Sequence, residues 1–248
     1  LLDILSNKQA PMTLRELYQA SGYPKSTIYA LLSTLRAYGC IRQESDGRYY
    51  LGTKLFQWGC SVSASWDITR LARPYLERLA RDTGSTALLS RVEGSSITVI
   101  DQCVSGAGIR VASEMGSHVS LYATSQGKLL LASLSDSAVR RLIPDGKLQA
   151  FTPHTLTDFP ALLADLERIR TQGYAIENGE YKIGLRSVSA PVYSRENDIA
   201  YIVSAVGLFR RVESDEFDLV IRQTCDDARA LSLQNGGGGC AEKPCLPL

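Results

Sequence analysis

Apolar positions recur at helical spacing over the first fifty residues and then give way to a short alternating hairpin. Thr13-x-x-Glu16 is a capping-box pattern that opens a helix with Leu14, Leu17 and Tyr18 on one face. Ser21-Gly22-Tyr23-Pro24 breaks it, and the proline is expected in the first turn of a second helix. There Ile28, Leu31, Leu32 and Leu35 fall on one side and are expected to face a core. Lys25, Ser26, Tyr29, Ser33 and Arg36 occupy the open side, with the cationic, polar and aromatic groups that meet phosphates and base edges in a major groove. Cys40–Gln43 and Arg48–Leu51 flank Glu44-Ser45-Asp46-Gly47, a hairpin with an Asp-Gly turn, and Arg48 stands on this wing. Helix, turn, helix and hairpin is the winged helix-turn-helix order, which predicts a DNA-binding domain over 1–52. The competing reading is a small helical subdomain that docks a protein.

Residues 53–65 read as an aromatic-rich linker helix in which Phe56, Trp58 and Val62 exceed what a solvated tether needs. A further helix spans Trp66–Arg81, with Asp67 as its cap and Ile68, Leu71, Tyr75, Leu76 and Leu79 recurring along it. Beyond Gly84, β-like and helical stretches alternate. Strands are expected at 87–91, 97–102, 109–113, 174–177, 186–193 and 200–208. Helices are expected at 125–134, 136–143, 160–172 and 214–233, and the whole predicts an α+β sheet domain over 66–233. Residues 234–248, with four successive glycines and two prolines, hold too little apolar surface to fold and are expected to be a disordered tail.

Charge and cysteines narrow the function. The chain carries 27 Lys/Arg and 26 Asp/Glu, so any nucleic-acid surface must be local. Over residues 1–56, Lys8, Arg15, Lys25, Arg36, Arg42, Arg48 and Lys54 stand against Asp3, Glu16, Glu44 and Asp46, a modest basic excess. No apolar run approaches the roughly 20 residues that span a bilayer, and no signal-peptide layout is present, which predicts a cytoplasmic protein without a membrane partner. Leu1 opens inside a helix-like LLDILSNK, so the first helix is expected to begin earlier. The six scattered cysteines form no C-x-x-C and read as thiols of a reducing compartment.

Candidate chemistry is sparse. Gln126-Gly127-Lys128 has the ring of a phosphate loop, but Leu121 or Tyr122 and Leu129 stand where that loop needs glycine and Ser/Thr. Two histidines, His118 and His154, and no nucleophile elbow argue against an enzyme. No metal site or cofactor is expected, and Asp226-Asp227 reads as a solvated helix face. Ala123–Gly127 is different: small residues run directly into an apolar helix, and such a start can offer backbone N–H groups to a carboxylate. An ordinary capped helix is the alternative.

Several landmarks occur in a fixed order: Lys25-Ser-Thr-Ile-Tyr29 with Leu31, Leu32 and Leu35; Tyr50-Leu51-Gly52; Ala72-Arg-Pro-x-Leu76; Ala123–Ala132 with Gly127-Lys128; Arg170-x-x-Gly173-Tyr174-Ala175; and Glu180-x-x-x-Gly184-Leu-Arg before Ala190-Pro191-Val192. Together they resemble the IclR family of bacterial transcription regulators from residue 1 to about 233. The resemblance implies an N-terminal winged helix, a dimerising linker helix and a C-terminal effector-binding domain similar to GAF sensors. It also implies homodimers, often paired into tetramers, on palindromic double-stranded operators. The family's effector pocket falls on Leu121, Ser125 and Gln126, with a second wall of Glu177, Leu185, Ser187, Ser204 and Val206, and this favours the anion-site reading of the Ser125 segment. Three positions depart from the family: Ser120 replaces the usual proline, Ala30 replaces a common arginine of the recognition helix, and Val206 replaces a hydroxyl found in some members. The resulting expectation is a regulator whose operator affinity is set by a small organic acid. The alternative is a metabolite-binding sensor or enzyme domain whose winged helix serves protein contact.

Overall fold

The computed structural model describes residues 1–8, 10–64, 67–105, 120–143 and 148–236, without the side chains of 62–64 and 67. The chain divides into two compact units after Asp67.

In the first unit, helices α1 (Leu2–Lys8), α2 (Leu14–Ser21) and α3 (Lys25–Ala37) precede a two-stranded hairpin of β1 (Ile41–Gln43) and β2 (Tyr49–Leu51), and α4 (Thr53–Ala64) follows. The capping box is fully formed. Thr13 N donates to Glu16 Oε2 at 2.7 Å and Glu16 N donates to Thr13 Oγ1 at 3.3 Å. These bonds, the backbone one foremost, hold the Glu16 carboxyl below its ordinary range. Gly22 takes the left-handed φ of 70° that ends α2. Leu5, Met12, Leu17, Ile28, Leu32, Ile41 and Tyr49 form the core. Two expectations are corrected. Leu31 is 43% exposed, because it lies at the margin of the stripe that Ile28 and Leu32 bury. Pro24 stands before the helix as its N-cap residue with ψ 144°, since proline's neighbour Lys25 already starts the helical turn.

The second unit is built on one antiparallel sheet in the order β4-β3-β7-β6-β5. Its strands are β3 (Thr86–Glu93), β4 (Ser96–Val104), β5 (Ala175–Asn178), β6 (Arg186–Tyr193) and β7 (Ile199–Gly207). The long α5 (Asp67–Thr83) and α9 (Asp215–Gln234) accompany it, and α9 packs on β6 and β7. Asp67, expected as a cap, is itself the first residue of α5. The strand expected at 109–113 lies outside the described residues. Helices α6 (Ser125–Ala132), α7 (Asp136–Leu142) and α8 (Phe159–Gln172) bury Leu129, Leu131, Val139, Leu162, Leu166 and Ile169 together. Asp227 corrects the reading of a solvated acidic face: it is 1% exposed and ion-paired to Arg78 of α5. Burial raises its carboxyl while the guanidinium pulls it back. The helical spacing of Phe217, Val220, Thr224, Ala228 and Leu231 turns Asp227 inward between α9 and α5.

α6 lies against the chain that leads into it. A Cβ on Gly127 would sit 2.2 Å from Ser120 O and 2.4 Å from Leu121 Cα, so only glycine fits there. Gly127→Ala is therefore expected to lower the stability of the second unit by about 2–3 kcal/mol, read by urea denaturation of the full chain.

Candidate functional site

On the first unit, Lys25, Ser26, Tyr29, Ser33 and Arg36 lie within an arc of about 100° on α3, at 100° per residue. Tyr29 is 59% exposed, and Lys25, Ser26 and Arg36 are exposed beside it, while Ser33 is half-buried. The face beside the buried Ile28 and Leu32 is thus polar and open. Arg36 Nη1 donates to Gln43 Oε1 at 2.9 Å, which ties the end of α3 to the wing. Arg48 has three longer contacts, with Nη1 3.4 Å from Pro11 O and its guanidinium 4.0 Å from Glu16 Oε2 and 3.7 Å from Asp46 Oδ2. Arg42, which the sequence reading passed over, stacks 4.6 Å from the Tyr50 ring on the exposed side of the wing.

On the second unit, strand register decides which side chains meet. Ser187 stands opposite Glu177 on one side and Val206 on the other; Ser189 stands opposite Ser204. Side chains two apart share a face, so Glu177, Ser187, Ser189, Ser204 and Val206 line one surface of the sheet. The first turn of α6 covers that surface. Ser125 Oγ lies 2.7 Å from both Ser187 Oγ and Ser189 Oγ, and Ser189 Oγ lies 2.8 Å from Ser204 Oγ. Ser187 Oγ donates to Glu177 Oε2 at 3.2 Å, and Tyr181 N donates to Glu177 Oε1 at 3.1 Å. Four serines and a glutamate thus form one continuous chain of hydrogen bonds, every member at most 5% exposed.

The remaining expected residues border this chain. Leu185 packs against Leu88, Val99 and Val206, an apolar cluster at one side. Leu121 packs against the cluster under α6 to α8. Gln126 is 5% exposed, and its Oε1 has no hydrogen-bond partner among the described residues. A buried amide oxygen left in this way is costly unless something else reaches it. At the helix start, Thr124 Oγ1 accepts from Gly127 N at 3.1 Å, so the amide it caps is the one after Gln126. Ser189, which the sequence reading omitted, is the link between Ser125 and Ser204. The Ser-x-Ser alternation at 187 and 189 carried the signal, but only the register with Ser204 and Ser125 gives it meaning.

Lys128 was also undervalued. It is 1% exposed, and its Nζ lies 2.6 Å from Glu180 Oε1 and 2.9 Å from Asp165 Oδ2. This buried triad fixes the turn after β5 to α6 and α8. Desolvation raises the Glu180 carboxyl and the Lys128 ammonium lowers it. Beside it, burial pushes Glu177 from 4.5 up to about 7, against the opposing pull of the Tyr181 and Glu180 amides.

The Glu177 shift has a definite sign. Its folded value lies above the unfolded one, so its contribution to stability is full below pH 4.5 and is lost as pH rises towards 7. Glu177→Gln, which stays neutral, should show a shallower fall of unfolding free energy across this window. The difference between the two proteins should be on the order of 3 kcal/mol. Urea denaturation at several pH values measures it, and parallel curves would contradict the assignment.

Comparison with known proteins bears on both units. The family model described as IclR helix-turn-helix domain matches residues 1–45, and that described as bacterial transcriptional regulator IclR C-terminal matches residues 60–233. The HTH-type transcriptional regulator XynR of Escherichia coli is 32% identical over 95% of this chain and 94% of its own. The transcriptional repressor AllR of the same species is 30% identical over 86% of this chain and 79% of its own. Among solved structures, an IclR-type regulator from Silicibacter superposes with a TM-score of 0.84 at 25% identity, over 94% of this chain and 92% of that one. An IclR homologue from Microbacterium hydrocarbonoxydans, complexed with 4-hydroxybenzoate, shares the fold with a TM-score of 0.73 at 19% identity, covering 92% of each chain.

Proposed function

The chain belongs to the IclR family of DNA-binding transcription regulators, and on that premise we propose that it binds a palindromic operator through α3 and the wing and changes that affinity when a small organic acid occupies the serine–glutamate site. The observation that carries this reading is the buried polar chain from Ser125 to Ser204 beside the unpartnered Gln126 Oε1, with Leu185 and Val206 in one apolar cluster near it and Leu121 in another. Polar groups gathered between apolar side chains suit a small ligand with one charged or polar end. The 4-hydroxybenzoate held by the Microbacterium homologue is an acid of this kind. The regulation is a linkage: an acid that binds one conformation better than the DNA-bound one weakens operator binding, and the converse strengthens it.

Lys25, Ser26, Tyr29, Ser33 and Arg36 form the groove-facing set, with Arg48 on the wing. Arg36→Ala should weaken binding to all DNA sequences and reduce the salt dependence by about one phosphate contact. Gel shifts at two salt concentrations measure this, and unchanged affinity for every substitution in the set would overturn the interface.

The proposal extends to assembly and location. Phe56 is 75% and Trp58 48% exposed on α4, and burying these rings against a second copy would hold two recognition helices about one DNA turn apart. The side chain of Val62, expected in the same contact, lies outside the described residues. Trp58→Glu should give monomers in sedimentation, and a persistent dimer would place the contact elsewhere. Pairing of dimers into tetramers and a cytoplasmic location belong to the same reading. Among the described residues no helix is long and apolar enough to cross a membrane.

Ser125→Asp tests the effector site directly. A panel of small acids, including 4-hydroxybenzoate, titrated calorimetrically into wild type and variant should show binding to the wild type alone, with DNA binding intact in both. Equal binding of an acid to both proteins would show that the site is misplaced.

A further inference from the structure

We propose that the four serines act as a reversible hydrogen-bond relay that couples acid binding at the Ser204 end to protonation of Glu177 at the other. The inference rests on the effector-site reading above and adds to it the regulation of the site by proton uptake.

A serine hydroxyl has one proton to donate and lone pairs to accept. When Glu177 is ionised it can only accept, so Ser187 must donate to it, as the 3.2 Å contact with Oε2 allows. Ser187 then accepts from Ser125, Ser125 from Ser189, and Ser189 from Ser204, each at 2.7 to 2.8 Å. All four protons point towards Glu177, and Ser204 offers only lone pairs beyond the chain. When Glu177 is neutral its own O–H can donate to Ser187. Every bond then reverses, and the Ser204 proton is released to donate outward. A carboxylate oxygen meeting Ser204 is therefore favoured in the second state and disfavoured in the first. Binding one acid draws one proton from solvent onto Glu177, leaving the pocket's net charge unchanged.

Burial makes both states accessible. Ser189 and Ser204 are fully buried and Glu177 is 1% exposed, so no water competes for these bonds, and a low-dielectric chain polarises cooperatively. The charges around Glu177 leave its titration unpinned by any direct cation. Glu180 lies on the turn after β5, Lys128 of α6 and Asp165 of α8 pair with it, and neither Lys128 nor any other cation forms an ion pair with Glu177 among the described residues. On β6, Arg186 is opposite Asn178 and bonded to it at 2.8 Å, which places it on the other face of the sheet. Glu177 titrates near neutrality rather than far below it, consistent with this setting.

The first test needs no ligand. The Glu177 carboxyl resonance, assigned by its loss in Glu177→Gln, is followed by carbon NMR in the full chain across pH. Ser204→Ala, three hydroxyls away from the serine that touches Glu177, should move the midpoint by about half a unit, roughly threefold in the neutral-to-ionised ratio. Ser90→Ala is the control: Ser90 is equally buried but has no hydrogen-bond partner among the described residues, and it should leave the midpoint in place. A midpoint indifferent to Ser204, or moved equally by Ser90, overturns the relay.

The second test uses benzoate and 4-hydroxybenzoate as probes, titrated in buffers of different ionisation enthalpy. Above the Glu177 midpoint, affinity should fall towards tenfold per pH unit in the wild type, with about one proton taken up per acid bound. Ser189→Ala, which cuts the relay, should flatten this dependence. Pocket binding without proton uptake overturns the relay and leaves the effector site standing. Equal binding to wild type and Ser125→Asp overturns the effector site, and the NMR arm then judges the relay alone.

Discussion

The close approach of α6 to the sheet is the constraint on which the second unit depends. Gly127 brings its backbone against Ser120 and Leu121 where a Cβ would overlap both. That approach leaves Ser125 Oγ 2.7 Å from both Ser187 Oγ and Ser189 Oγ, two residues apart on β6. Burying each of these hydroxyls singly would cost it the hydrogen bonds it makes to water. They are buried as a group, and the result is a polar strip between the apolar cluster under α6 to α8 and the smaller one around Leu88, Val99 and Val206.

Charge is arranged around that strip in two ways. Lys128 faces Glu180 and Asp165 in a triad that ties α6, α8 and the turn after β5 into one arrangement. Such a triad is costly to bury, and removing one member would leave its partners uncompensated. Its effect is positional, because the same turn supplies the Tyr181 amide that holds Glu177. Glu177 itself has hydroxyl and amide donors but no ion-pair partner among the described residues, so its carboxyl answers to burial and to hydrogen bonding. The DNA-facing unit has its own apolar core around Leu17, Ile28 and Leu32, sufficient to hold α3 and the wing in place. Each of the two units thus has an apolar core of its own.

Much of this was legible in the residues, and the exceptions have physical causes. The capping box at Thr13 and Glu16, the helix-ending glycines and the Asp-Gly wing turn are local signals, and each forms as read. The strands of the second unit were legible from their apolar runs, although their order was not, because pairing such as β3 with β7 joins residues far apart in the chain. Asp227 misled because charged residues rarely face a core; Arg78, almost 150 residues earlier, makes its burial possible. Ser189 and Lys128 were missed for a related reason. A serine in a strand or a lysine in an apolar helix has no meaning until the register and the partner on another element are known.

The central claim is that the Ser125–Ser204 chain is where an acid meets this protein. A crystal structure of the full chain with a small acid selected for altering its DNA binding tests it most directly. The account predicts the ligand between α6 and the sheet, with a carboxylate oxygen within hydrogen-bond distance of Ser204, Ser125 or Gln126. An acid that alters DNA binding while seated anywhere else on the chain would contradict it.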